Sequence, residues 1–389
     1  MSLQARIDDI AARPYRFFFP LGMLLAWWGV SHWLLWSLGM SKSYQAAFHS
    51  IAQVQGFLMC FAVGFLLTAI PRRTGTSPPS TWEVVIGASA PVISTISAYF
   101  GAFAVSQMAW LLLIAMLVVF ALRRFLSSEA KRRPPNSFIW VPLSLLVGAV
   151  GSILTAAYGI IGDEAWWYHE LGKKLVLQGV FLGLIIGVGG MALPLMTRGE
   201  SSTDAARSPR DFMARSAHLM MAVSLLTSFL VEMQGWPRWG FFMRGTIVLI
   251  MLLVSARIHR LPNQVGGHRW LIWLAAWCIP LGYLLAGLFP ARQQAGLHVV
   301  FVGGFAMMAM AVGIHVILAH GGYKPAFAQL ARHFAAFGIL MLFAAFARFL
   351  VLFDPARHLV WTGVAAAFFL AATLHWLVLT IPRLAVRSE

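Results

Sequence analysis

A chain of 389 residues that is 60% hydrophobic and only 11% charged, with a mean hydropathy of +0.77, lacks the charged skin of a water-soluble protein. Its net charge of +16 raises nucleic-acid binding, but the positive residues form short clusters between apolar runs, a pattern that topology in a lipid bilayer accounts for without nucleic acid. The two cysteines, Cys60 and Cys278, both lie inside apolar runs, which excludes a disulfide framework and a thiolate metal site.

A membrane helix needs about 20 mostly apolar residues. Residues 1–16 are short and basic with no small-residue cleavage site, so they read as a cytoplasmic tail leading into a first span. Twelve spans follow, at roughly 17–38, 49–70, 82–103, 105–122, 137–161, 172–197, 212–231, 239–257, 269–288, 294–319, 326–353 and 357–381. Only Ala104 and a few weakly polar residues separate the third from the fourth. Between the fifth and sixth lies the longest expected outside loop, GDEAWWYHELGKK (162–174), whose Trp-Trp-Tyr cluster suits a membrane surface. The expected architecture is all-α and polytopic: one twelve-helix membrane domain over 17–381, with cytoplasmic tails at 1–16 and 382–389.

With the N-terminus in the cytoplasm, most of the 29 Lys and Arg fall on inside segments, among them Arg72 and Arg73, Arg123 and Arg124, Arg198 and Arg207, Lys324, and Arg387. The positive-inside rule asks for this alternation if twelve spans leave both ends inside. The loops are short, so function must reside among the helices. The second, sixth and twelfth spans end alike, in LLTAIPRRTG, MALPLMTRG and VLTIPRL, which suggests an internal repeat.

Ionisable groups inside a membrane are costly and mark function. All 13 acidic residues fall in loops, tails or helix ends, which weighs against a cation-coupled transporter. The 12 histidines fall largely within spans or at their ends. Topology sets His49 (second span) and His298 (tenth) near the outer face, with His32 and His358 on the same side. His218, His315, His320, His333 and His375 form an inner layer, and His268 falls in a cytoplasmic loop. On the tenth span, His298 and His315 are 17 residues apart, about 25 Å along a helix.

Neutral imidazole is a good axial ligand for haem iron, and a bis-histidine haem needs two such groups at one depth. His49 and His298 meet that condition, and Gly56, Gly296, Gly303 and Gly304 near them would give a porphyrin clearance. The alternative is an interfacial histidine bonded to water or to a carbonyl. The inner layer could hold a second haem or copper. Arg72 and Arg198 could pair with haem propionates or act simply as topology determinants. A rival from another class is a cofactor-free transporter or channel whose histidines bind substrate or gate the path.

Five motifs in order resemble one family. PYRFFFPLGML is similar to the opening of the NnrS proteins, and FHSIAQVQGFLMCFAVGFLLTAIPRRTG to their W-H-x-H-E-M…G-F-L-L-T-A-x-P…T-G block. GVGGMALPLMTRG resembles G-G-R-x-x-P-x-F-T-R, GLHVVFVGGFAMMAMAVGIHVILAHGGY the block running from L-H-A to H-T-G-R, and LTIPRL the closing motif. The resemblance implies a twelve-helix bacterial membrane protein associated with haem, copper and nitric oxide, either handling nitric oxide or passing electrons from a membrane or periplasmic donor. By position it assigns His49, His298 and His320 to family histidines and matches Thr68, Pro71, Gly75, Pro194, Thr197 and Arg198. Ile51 and Ala52 stand where the family has a second histidine and a glutamate, Met191 and His315 where it has arginines, and H-T-G-R ends here as Gly321, Gly322 and Tyr323. A more distant likeness links the same two outer histidines to the haem ligands of haem-copper oxidase main subunits, whose paired copper histidines on the seventh helix are absent.

Overall fold

The computed structural model describes residues 3–201, 208–323 and 326–385; Arg207, Lys324 and Arg387, which entered the charge alternation, lie outside the described residues. Among the described residues the regular structure is helical throughout, with no strand. A short helix α1 (Leu3–Ala12) occupies most of the expected N-terminal tail. It is followed by α2 (Tyr15–Ser37), α3 (Ala46–Thr74), α4 (Thr81–Tyr99), α5 (Phe103–Phe125), α6 (Asn136–Ile161) and α7 (Asp163–Arg198). Then come α8 (Pro209–Met233), α9 (Pro237–Ala256), α10 (Gly267–Leu288), α11 (Pro290–His320), α12 (Ala331–Leu350) and α13 (Pro355–Leu384).

Eleven of these helices are long and apolar enough to cross a membrane, and the chain is a multi-pass membrane protein. The expected third span is present as α4, but its 19 residues include Glu83, Ser89, Pro91, Ser94, Thr95 and Ser97, which lower its hydropathy. Glu83, Ser94 and Thr95 are buried within the protein, so much of that polarity is turned away from the helix surroundings. The break between the third and fourth spans falls at Phe100–Ala102, where Gly101 takes φ +75°, a conformation glycine adopts without steric cost. The expected loop 162–174 is mostly helical. Gly162, at φ +83°, makes the turn, and residues 163–174 already belong to α7. At 36 residues, α7 is about 54 Å long, well beyond the ~30 Å of a hydrocarbon core. At the C-terminal end, α13 continues to Leu384, past the expected boundary at 381.

The described chain forms two compact units. Unit 1 gathers the residues up to Gly29, Gln45–Val188 and the first half of α8 through Ala222; unit 2 gathers Val30–Tyr44, the Gly189 end of α7 and the chain from Val223 onward. Within each, glycines let helices approach to backbone contact, as membrane helix packing favours. In unit 1, a Cβ on Gly172 would lie 2.5 Å from the Gly151 carbonyl oxygen; in unit 2, one on Gly296 would lie 2.4 Å from the Ala286 nitrogen and 2.6 Å from the Gly282 oxygen.

Each unit also buries an ion pair. In unit 1, Arg124 meets Glu83 through two parallel bonds of 3.0 and 2.9 Å and lies 3.8 Å from the centre of the Phe120 ring. In unit 2, Arg244 bonds Glu232 at 2.8 Å and stacks 3.7 Å over Phe229, with Phe241 and Tyr283 closing around it. Both carboxylates sit at helix ends, as expected from the sequence, yet neither is exposed: Glu83 retains 1% and Glu232 7% of its surface. Hydrogen bonding and charge neutralisation make such burial tolerable.

Four helices carry π-helical segments: 52–58 in α3, 175–179 in α7, 252–256 in α9 and 299–306 in α11. Three of them recur on the second, sixth and tenth expected spans, a four-helix spacing, and each contains a glycine: Gly56, Gly179, and Gly303 with Gly304.

Candidate functional site

His49 stands in the first turns of α3, just ahead of the π segment 52–58. Its Nδ1 lies 2.7 Å from the carbonyl oxygen of Gly29 in α2. A carbonyl can only accept, so Nδ1 donates and the neutral ring keeps its lone pair on Nε2. The contact depends on glycine. A Cβ on Gly29 would lie 2.5 Å from Gln53 Nε2 and 2.7 Å from Ala52 Cβ. Beside it, Gln53 donates to the Ala26 carbonyl at 2.9 Å, a second tie between α3 and α2.

Gln55, two residues on, faces the other way. Its amide and that of Gln107 in α5 donate to each other at 3.0 and 3.1 Å, and Ser152 of α6 donates to Gln107 Oε1 at 2.8 Å. All three are buried. The two glutamines that interrupt the apolar pattern are therefore satisfied groups fixing the π segment of α3, one toward α2 and one toward α5. Ahead of them, Phe48 packs 5.2 Å from both Trp28 and Tyr99.

His298, in unit 2, repeats the local arrangement on α11. It immediately precedes the π segment 299–306, and its Nδ1 lies 2.7 Å from the Gln294 carbonyl oxygen, which again leaves the lone pair on Nε2. Phe301 meets the imidazole edge-on at 6.5 Å. The glycines expected to clear space for a porphyrin do something else. Gly296 packs on the α10 backbone, Gly304 on Ile279, Gly303 against Cys278, and Gly56 against Thr95 and Leu25.

The inner histidines have separate local partners within each unit. In unit 1, Trp140 Nε1 donates to His218 Nδ1 at 3.1 Å, so the acceptor nitrogen of His218 is already engaged. In unit 2, His315 lies 3.1 Å from His268, Nδ1 to Nε2, with Phe334 edge-on to His268. His333 and His375 stack at 5.4 Å, and His375 Nε2 bonds the His333 carbonyl oxygen at 3.1 Å. His320 ends α11. Among the described residues no three of His, Cys, Asp and Glu come together as a metal-ligand group.

His268 overturns its expected place in a loop, for it lies in the first turn of α10 and is fully buried. The clue was Gly266-Gly267 directly ahead of an apolar run, a helix start set two residues too late when drawn from apolarity alone.

Arg198 is buried, with Nη2 bonded to the Ala256 carbonyl at 3.1 Å and Nε to Glu200 at 3.2 Å. It ties the end of α7 to the end of α9. The same helix end is closed by Asn263 N–H on the Thr197 carbonyl and by Arg269 on the Met196 carbonyl, while Gly199 turns out at φ +73°. The T-R-G motif is thus a helix stop. Arg72 is exposed and borders a cleft of about 180 Å³ with Thr68, Thr76 and Pro14, smaller than the ~300–1,000 Å³ usual for a ligand pocket.

Glu200 receives three arginines. Partial desolvation opposes its ionisation, but the Arg198 hydrogen bond and the charges of Arg198, Arg260 and Arg257 hold its carboxyl below the usual range. The unfolded chain then binds a proton that the folded chain rejects, so this contribution to stability is complete above the ordinary carboxylate pKa and is lost as pH falls through the lowered folded value. Glu200→Gln is expected to lower the thermal midpoint of the detergent-solubilised protein at neutral pH and to lose that effect in strong acid.

The family model described as NnrS protein matches residues 9–387. No curated protein matches the chain. The match takes in α3 with His49, the end of α7 and α11 with His298, and it runs nearly end to end over a chain of membrane-crossing helices; the protein belongs to the NnrS family.

Proposed function

We propose that this NnrS-family protein binds b-type haem, with His49 and His298 each a candidate ligand of haem iron, and serves nitric oxide metabolism or membrane electron transfer in a bacterial inner membrane with both termini cytoplasmic. One observation carries the reading: both histidines hold Nδ1 on a backbone carbonyl at 2.7 Å. Metal-bound histidines as a rule donate the other ring N–H in this way, which fixes the tautomer, orients the ring and raises its basicity. Family membership supports the link to nitric oxide.

The chain's own residues do the positioning. Gly29 and Gln53 hold the α3 segment against α2, and Gln55, Gln107 and Ser152 hold it against α5 and α6. The bound haem supplies one-electron redox chemistry and an iron that small gases can ligate. The inner histidines do not fit a copper centre of three imidazoles, because His315, His333 and His375 pair off and His218 accepts from Trp140.

The test is an absorption spectrum of the purified full-length protein after loading with haem. A sharp Soret band with split α and β bands on dithionite reduction, and iron bound in proportion to protein, is the expected result. A featureless spectrum with no iron would refute the reading and favour a cofactor-free transporter or channel.

A further inference from the structure

A guanidinium enclosed among membrane helices needs a counter-charge. Arg124 has Glu83, Arg244 has Glu232 and Arg198 has Glu200. Arg348, in the last turn of α12, is different. It is half-buried, its Nε is buried, and its Nη1 donates to the hydroxyl of Thr362 on α13. The hydroxyl's own proton goes to the His358 carbonyl at 2.8 Å, so Thr362 orients the guanidinium but brings no charge. Among the described residues the Nε–Nη2 edge of Arg348 meets no acceptor.

The surrounding helices hold no carboxylate that could supply one. Residues 267–385, which include α10 to α13, contain a single acid, Asp354. It accepts from Trp361 Nε1 at 3.2 Å and lies 4.0 Å from Arg357. The other described acids of unit 2, Glu200 and Glu232, are bound to the arginines already named. Arg292, which donates to the Leu352 carbonyl, adds a further positive charge at the turn between α12 and α13. The missing negative charge must therefore come from outside these helices. Depth indicates its source. α12 has 20 residues, as long as the hydrocarbon core is thick, so its last turn lies at the headgroup edge. Phe343 and Phe346 of α12 and Val360 of α13 expose apolar surface close by.

We infer that Arg348 and Thr362 form a seat for the phosphodiester of a membrane lipid. Its two unesterified oxygens take the Nε–Nη2 edge, the planar fork with which arginine pairs to phosphate, and its acyl chains lie on Phe343 and Phe346. The inference stands apart from the haem reading.

The test follows the thermal midpoint of the full-length protein in neutral detergent. It is titrated with dioleoylphosphatidylglycerol, with dioleoylglycerol, which has the same chains and no phosphate, and with inorganic phosphate alone. Only phosphatidylglycerol is expected to raise the midpoint. In Arg348→Met its half-saturating concentration should rise about tenfold or more, as the loss of a charged hydrogen bond implies. Arg332→Gln, at the exposed start of the same helix, should titrate like the native protein. An unchanged titration in Arg348→Met overturns the inference, and so does an equal loss in Arg332→Gln, which marks general charge attraction. A midpoint raised as much by dioleoylglycerol shows chain binding alone, and one raised by inorganic phosphate shows a free-anion site; either refutes the lipid seat. Should Arg348→Met not fold, hydrogen exchange of the native protein decides. Phosphatidylglycerol is expected to slow exchange over residues 346–362, and unchanged exchange there refutes the inference.

Discussion

His49→Ala is expected to abolish the reduced haem spectrum of the purified protein, and His259→Ala to leave it intact. The first change removes the Nε2 donor and, with it, the imidazole that Gly29 holds in the right tautomer. The second alters an exposed loop residue between α9 and α10. Gly29→Ala should fall between them. The added Cβ must displace Gln53 or Ala52, which pushes the carbonyl away from His49, and supporting interactions of this kind typically change metal affinity by about 10–100-fold. Haem retained through gel filtration, read from the ratio of Soret to protein absorbance, ranks the three variants. A normal spectrum for His49→Ala would exclude it as a ligand even if haem were present.

The largest loss of stability is expected from Glu232→Gln. Arg244 is fully buried, and Glu232 is the carboxylate that balances its charge at 2.8 Å. Removing one partner of such a pair costs about 3–5 kcal/mol, because the remaining charge stays buried. The aromatic rings of Phe229, Phe241 and Tyr283 surround the guanidinium but supply only the ring-face attraction, worth about 2 kcal/mol when desolvated. The double variant Glu232→Leu with Arg244→Met should recover much of the loss, since apolar groups of similar size need no charge balance. Unfolding in detergent, followed by tryptophan fluorescence across the single and double variants, checks both statements. Equal stability of native and Glu232→Gln proteins would show that the ion pair contributes nothing.

What could be read along the chain was what repeats along it. Apolar runs located the helices, and the charge clusters between them marked the ends, because a bilayer imposes one length and one polarity on every span. The helix stops at Gly75 and Gly199 were visible as motifs, and the structure places both glycines in the left-handed conformation the stops need. Hydropathy missed the start of α7, which begins twelve residues before its most apolar part.

The candidate site divides along the same line. His49 and His298 could be selected from depth and from family motifs, both properties of position in the sequence. The Nδ1 bond of His49, the need for glycine at 29 and the linked amides of Gln55 and Gln107 could not, because the partners lie 20 to 52 residues away and meet only through which helix faces touch. The His268–His315 contact spans 47 residues for the same reason. Sequence by itself determined that this is a multi-pass helical membrane protein of the NnrS family, since composition and motif order are one-dimensional. Tertiary structure alone decided which polar side chains are paired, which glycines hold helices together and which imidazoles keep Nε2 as an acceptor. A hydrogen bond depends on the distance and angle between groups that folding brings together, and no spacing along the chain records that distance.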